Sequence, residues 1–144
     1  MSRYAHPERE QRWQLDSVPA ETTEARDIYD RYIIGTRLRL RHAGDVYKLG
    51  QKIPVRDDTV SLTNIYLSRE EYDVFAALPA RDLRKRRSFV EWHDHRVAVD
   101  EFLDRDLVLA EVELTPYEPY LPLPPWAVKD VTGDIAYTGG ALAL

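Results

Sequence analysis

The sequence predicts a mainly β fold of the α+β class: an antiparallel sheet of about eight strands, closed into a barrel and flanked by few helices. Three observations predict it. Apolar and polar residues alternate with a period of two along most of the chain. Turn-forming residues interrupt that alternation at short intervals. A single stretch combines a helix-start signal with a helical apolar period. Strands in this order pair most simply as an antiparallel meander, and about eight of them can close without leaving an edge.

The elements follow in order. Strands are expected over 7–14, 27–33, 36–42, 45–53, 59–66, 83–91, 95–102 and 107–114, with a short helix or turn over 19–26. His42-Ala43-Gly44-Asp45 and Trp92-His93-Asp94-His95 read as hairpin turns. Between the fifth and sixth strands, Ser68 and Glu71 form an S-x-x-E capping box. Tyr72, Phe75, Ala76 and Leu78 then supply a helical apolar face, and Pro79 ends it. Pro116, Pro119, Pro122, Pro124 and Pro125 make 116–125 an extended connector. After Trp126 come a Gly133-Asp134 turn and the pair Gly139-Gly140, too little chain for a long closing helix.

A chain of 144 residues is expected to form one domain, 1–144, with one sizeable core. The lack of cysteine excludes disulfides, thiolate catalysis and iron–sulfur clusters. No apolar run approaches the ~20 residues of a membrane span, and Met1–Arg12 has no signal-peptide core. The expectation is a cytoplasmic protein with no membrane partner. A net charge of −5 argues against DNA as a partner. The bases nevertheless cluster at Arg37, Arg39 and Arg41, at Lys48 and Lys52, and over Arg84–Arg87. Such local blocks suit capture of a small anion.

Two-residue spacing puts Glu8, Glu10 and Arg12 on one strand face. The same holds for Arg37 with Arg39 and Arg41, for Lys48 with Lys52 across Gly50, and for Lys85 with Arg87. Asp100 lies opposite Val97 and Val99, and Glu111 and Glu113 lie opposite Val112 and Leu114. One strand at a time, these are ordinary solvated faces. Together they put acids on the first, seventh and eighth strands and bases mainly on the third, fourth and sixth. Were the apolar face the outer one, covered by the helix and the connector, the charges would line the lumen. Burial at several kcal/mol per ion would then call for pairing or a ligand. A divalent cation on the acid side and a polyphosphate on the basic side would satisfy both sets. Periodicity alone leaves the choice of face open.

The same residues carry a resemblance. Glu8-Arg9-Glu10-Gln11-Arg12 is similar to the E-x-E-x-K opening of the CYTH superfamily, the triphosphate tunnel metalloenzymes. Gly35-Thr36-Arg37-Leu38-Arg39, Tyr47–Lys52, Leu83–Arg87, Val99–Phe102, Leu107–Glu113 and Val131–Asp134 follow in the family's order, so the likeness spans Tyr4 to Leu142. The resemblance implies an eight-stranded tunnel that hydrolyses the terminal phosphoryl of a triphosphate, inorganic or organic (thiamine or nucleoside), with Mg²⁺ or Mn²⁺. It implies Glu8, Glu10, Asp100, Glu111 and Glu113 as metal ligands, and Arg12, Arg37, Arg39, Lys52, Lys85 and Arg87 as triphosphate contacts. Lys48 joins that contact set. Glu8 and Glu10 are implied in catalysis, and Lys52, or in its place Lys48, would orient or deprotonate the attacking water if neighbouring cations depressed its pKa. The chain departs from the family at Arg12, Ala98 and Asp130, and in having no acid on the fifth strand. A polyphosphate-binding module without turnover and a class IV adenylyl cyclase are the alternatives. A small-molecule triphosphate is the expected partner, and a homodimer is compatible with the chain.

Competing motifs carry less. His93-Asp94-His95 reads as a hairpin tip, since successive residues of an extended chain do not converge on a metal. Gly44–Lys52 lacks the spacing of a P-loop, and no serine sits in G-x-S-x-G.

Overall fold

The structure is a computed structural model and describes residues 3–144. Eight strands close into an antiparallel barrel: β1 (His6–Leu15), β2 (Thr23–Ile33), β3 (Leu38–Ala43), β4 (Val46–Arg56), β5 (Thr59–Leu67), β6 (Ala80–Trp92), β7 (His95–Phe102) and β8 (Val108–Leu114). Helix α1 (Arg69–Ala76) separates β5 from β6. After β8 come a two-residue strand β9 (Lys129–Asp130), a 3₁₀ turn (Ile135–Tyr137) and the one-turn helix α2 (Gly139–Leu142).

The ring is not a plain meander. The order is β5-β4-β3-β2-β6-β7-β8-β1, closed by β1 against β5. Two meanders, β2–β5 and β6–β8, meet along β2 and β6, and β1 fills the gap between β5 and β8. Turn length could not reveal this, because the long β1–β2 and β5–β6 connections let their strands separate. The expected helix or turn over 19–26 is corrected in part, since Thr23 to Arg26 belong to β2. That end is fully exposed and bulged between Thr23 and Arg26, with Glu24 at φ 61°, so no alternation marks it as strand.

Local chemistry explains the remaining boundaries. His93 and Asp94 both hold positive φ (46° and 61°), as a two-residue type I′ hairpin demands. Ser68 and Glu71 form the reciprocal capping box of α1. β4 bulges between Pro54 and Arg56, where a residue without an N–H is tolerated.

The apolar faces point outward and are covered. Trp13, Val97, Val99, Ala110 and Val112 pack beneath the connector through Leu121, Trp126 and Ala127. Ile33, Leu40 and Leu49 pack beneath α1 through Tyr72 and Phe75. The charged faces therefore turn inward. A third cluster lies inside the barrel end, where Leu83, Phe102 and Leu109 meet Val131, Leu142 and Ala143 of the C-terminal segment. A four-residue helix thus fills that end. Gly139 lies against the Tyr32 ring and leaves no room there for a side chain.

Candidate active site

The register carries one charged face around the ring. Arg12 pairs with Glu111, Arg87 with Asp100, Asp30 with Arg41, and Arg41 with Lys48. Directly paired residues project to the same side of a sheet, so all of these side chains enter the lumen.

Two zones result. The first is a cavity of about 920 Å³ lined by Glu8, Glu10, Arg12, Arg37, Arg39 and Lys52. It is walled further by the loop after β2, the Arg56–Asp58 turn and the segment Thr132–Gly140. The second is an ionic belt behind the cavity. Arg41 grips Asp30 through both carboxylate oxygens at 2.7 and 2.8 Å, and Arg87 grips Asp100 the same way at 2.7 and 2.8 Å. Lys85 Nζ adds 2.9 Å to Asp100, and a further Arg87 bond reaches Glu111 at 2.7 Å. Asp30 is 0% exposed, Asp100 4%, Lys85 7% and Arg41 8%, so the belt fills the barrel below the cavity. Bidentate pairing is what makes such burial tolerable.

Electrostatics follow from this packing. Burial opposes the charge of Asp30, but Arg41 bonds pull its pKa down to about 2. Asp100 is likewise held low against burial by Lys85 and Arg87, and Glu111 well below the carboxylate range by Arg87, Lys85 and Arg12. Glu10 behaves oppositely: burial, and then the charge of Glu111, push it well above that range. Its Oε2 is buried without a hydrogen-bond donor, and Arg12 Nη2 stands off at 3.8 Å. Lys52 bridges Glu8 at 3.2 Å and Glu10 at 3.5 Å.

In the middle of the barrel the cations Arg12, Arg39, Arg41, Lys48, Lys52, Lys85 and Arg87 outnumber Glu8, Glu10, Asp30, Asp100 and Glu111. Among the described residues no carboxylate pairs with Arg39 or Lys48. Arg39 is half-buried with Nε unbonded, and burial followed by Arg41 lowers its pKa. Burial and then Arg41, Arg39 and Arg87 bring Lys48 down to about 8. Gly50 is the ladder partner of Arg39 and lies two residues from Lys48; a Cβ there would fall 2.7 Å from Asn64 Oδ1 and 3.4 Å from Arg39 Nη2, so the close packing calls for glycine. Asn64 Oδ1 is also buried and unbonded. Arg39 and Lys48, as unspent donors, make an anion cradle beside Gly50; the Asn64 oxygen is an acceptor and takes no part in it.

The predicted residues fall into place unevenly. Arg37 precedes β3, exposed at the cavity rim. Glu113 pairs with Glu10 in the ladder but is exposed. The condition set for a water-activating lysine, depression by neighbouring cations, is met at Lys48 and reversed at Lys52. There burial is overcome by Glu10, Glu8 and Glu111, which hold the ammonium above its usual value. The sequence reading missed Asp30, a single acid between Ile28 and Tyr32. Its one signal was Arg41, a third basic residue in register with Arg37 and Arg39 that needed a counter-charge.

Among the described residues no three His, Asp or Glu side chains stand in ligand geometry. A Mg²⁺-type ion needs no such cage, because it takes one or two carboxylates and completes its shell with water and substrate phosphate. Glu8, Glu10 and Glu111 carry the carboxylate donors such a shell could draw on, Glu111 also accepting from Arg87 at 2.7 Å. They are all oxygen, they crowd like charges together, and Glu10 keeps an unbonded oxygen. Asp100 is already taken up by Lys85 and Arg87.

A closed eight-stranded antiparallel barrel with this charged lumen has the fold of the CYTH-type triphosphate tunnels, in line with the sequence resemblance. The inorganic triphosphatase NE1496 is similar at 25% identity over 95% of this chain and 94% of that one, with TM-score 0.68. PH1012 from Pyrococcus horikoshii shares the fold at 12% identity and TM-score 0.59, over 78% of this chain and 80% of its own. A candidate adenylate cyclase from Bacillus halodurans does so at 15% and 0.56, over 78% and 82%. No protein-family model matches the chain, and no curated protein matches it. No helix among the described residues is long and apolar enough to cross a membrane.

Proposed function

We propose that the chain hydrolyses a triphosphate in this cavity with the help of a divalent cation. One observation carries the reading: Arg12, Arg39 and Lys52 converge in one cavity with Glu8 and Glu10, beside a belt that presents Glu111. Similarity to an inorganic triphosphatase over nearly the whole chain supports it.

Arg39 and Arg12 would hold non-bridging phosphoryl oxygens, with Arg37 at the rim and Lys48 reaching from the belt side. Glu8, Glu10 and Glu111 would hold Mg²⁺ or Mn²⁺, which when bound supplies charge neutralisation at the phosphoryl oxygens. Lys52, kept protonated by Glu8 and Glu10, serves as a fixed positive charge and not as a base. Glu8 remains the ionised carboxylate: burial opposes its charge, and the contacts of Glu10 and Lys52 lower its pKa. It is placed to accept a hydrogen bond from the attacking water. The water oxygen bonds to the terminal phosphorus as the bond to the bridging oxygen breaks. Inorganic phosphate, the shortened diphosphate and one proton leave.

The test is phosphate release from triphosphates with Mg²⁺ or Mn²⁺, comparing wild type with Glu111→Gln. The variant should lose nearly all turnover while its circular dichroism stays native. Full activity in the variant would overturn the assignment of Glu111. Tight binding without phosphate release would indicate a binding module, and release of pyrophosphate with a cyclic nucleotide would indicate a cyclase.

A further inference from the structure

Strand β1 changes partner at Arg9. Its first part, His6 to Arg9, pairs with β5, and the rest, Arg9 to Leu15, pairs with β8. Glu8 is therefore placed by β5, opposite Val60, while Glu10 is placed by β8, opposite Glu113. Two carboxylates that share Lys52 thus depend on different walls of the barrel, and their relation is set at the residue between them.

That residue is fastened from outside. Alternation turns Arg9 away from the lumen that Glu8 and Glu10 enter. Its Nε donates to Asp58 Oδ2 at 2.9 Å, and its Nη1 donates to the carbonyls of Thr115 and Glu118 at 2.8 and 2.7 Å. Tyr120 Oη donates to the same Asp58 oxygen at 2.6 Å, and its ring centroid lies 4.8 Å from the guanidinium carbon. Thr59 Oγ1 donates to Asp58 Oδ1 at 2.8 Å, and the Asp58 carbonyl accepts from the backbone N–H of Glu10 at 2.9 Å. Asp58 therefore grips β1 twice, through its carboxylate at Arg9 and its carbonyl at Glu10. It also borders the cavity, but both carboxylate oxygens are already taken. The Arg9 and Asp58 side chains are 13% and 12% exposed, so this is no loose surface pair. Tyr120 is half exposed and belongs to none of the apolar clusters, so its hydroxyl bond and its ring over Arg9 are what it contributes.

Resting on the metal-assisted reading above, we propose that Arg9, Asp58 and Tyr120 are positioning residues for the Glu8–Glu10 pair. They fix the passage of β1 from β5 to β8, and with it the placement of the two carboxylates toward a divalent cation. They act through β1 and not by contact with metal or substrate, as outer partners of ligating carboxylates do.

The experiment measures Mn²⁺ binding to the full chain by electron paramagnetic resonance of the free ion, without substrate. Calorimetric binding of inorganic triphosphate without metal is measured beside it. Tyr120→Phe keeps the ring and removes the hydroxyl bond, Asp58→Ala removes the anchor, and Asp58→Asn restores an accepting oxygen. Asp58→Ala and Tyr120→Phe should each weaken Mn²⁺ binding about tenfold, and Asp58→Asn should recover most of the Asp58→Ala loss. Metal-free triphosphate binding, on the Arg39 and Lys48 side, should stay within about twofold of wild type. Tyr29→Phe, which deletes a like bond to Asp82 (2.9 Å) on the β2–β6 wall, should leave Mn²⁺ binding unchanged. Unchanged Mn²⁺ affinity in Tyr120→Phe and Asp58→Ala overturns the proposal, and so does a loss matched by Tyr29→Phe or by metal-free triphosphate binding. Should Asp58→Ala not fold, Tyr120→Phe decides alone. These results leave the triphosphate reading standing. A wild type that takes up no Mn²⁺ overturns the proposal and the metal assignment together, while phosphate release judges the triphosphate reading separately.

Discussion

Replacing Asp30 by Asn tests whether the belt holds the barrel together. Asp30 is fully buried and accepts from Arg41 Nε at 2.7 Å and Nη2 at 2.8 Å. Its pKa of about 2 against an ordinary 3.8 corresponds to about 2 kcal/mol of preference for the ionised form in the folded state. The amide also replaces one accepting oxygen by an NH₂ that faces a guanidinium, a mismatch of about 1–3 kcal/mol. The expected loss is about 3–5 kcal/mol, the range for removing one partner of a buried pair. In a domain of this size that lowers Tm by roughly 10 °C. Urea and thermal unfolding, followed by far-UV circular dichroism, measure it. Because the folded pKa is depressed, the contribution is present above about pH 4 and lost as pH falls toward 2, and the variant should lack that segment of acid dependence. Asp30→Asn/Arg41→Gln should recover much of the stability, giving a coupling energy above about 1 kcal/mol. A single variant within about 1 kcal/mol of wild type, or a coupling near zero, would refute the reasoning.

Two further predictions address the cradle. Gly50→Ala places a methyl group 2.7 Å from Asn64 Oδ1, the end of a flexible side chain, so Tm should change by only a few degrees. The methyl lies 3.4 Å from Arg39 Nη2 and crowds it, and triphosphate affinity measured by calorimetry should fall about tenfold. Lys48, with a pKa of about 8, should lose its charge as pH rises from 7 to 9, weakening triphosphate binding over that window. Lys48→Arg should flatten that profile. Since this folded pKa lies below the unfolded one, neutralising Lys48 should also raise stability between about pH 8 and 10, and Lys48→Met should remove that rise.

Much of the fold was legible because strand alternation and turn chemistry are local. The capping box at Ser68, the turn at His93-Asp94 and the alternation in β7 and β8 need no knowledge of distant residues. The order of strands around the ring does, and so the place of β1 between β5 and β8 was not legible. The same limit governs the site. Spacing put Glu8 with Glu10 and Lys85 with Arg87, but it does not state which face is inside. Closure under the connector and α1 decides that. Asp30 stayed hidden because a lone acid in a strand has no period, and its meaning comes from Arg41 on the neighbouring strand.

The wall of the tunnel is not equally strong all the way round. β1 and β5 are stitched by four residue pairs, His6↔Leu62 to Arg9↔Thr59, whereas β2 and β6 share nine; β7 and β8 also share four, but there Val97, Val99 and Ala110 are buried beneath the connector. The short seam contains Glu8 and ends beside the cavity, where Thr59 and Val60 form part of the lining. Local opening follows the least costly break, so the barrel is expected to fray first along this seam. Breathing there would widen the chamber sideways, giving bulky molecules a lateral entrance while the ionic belt stays intact.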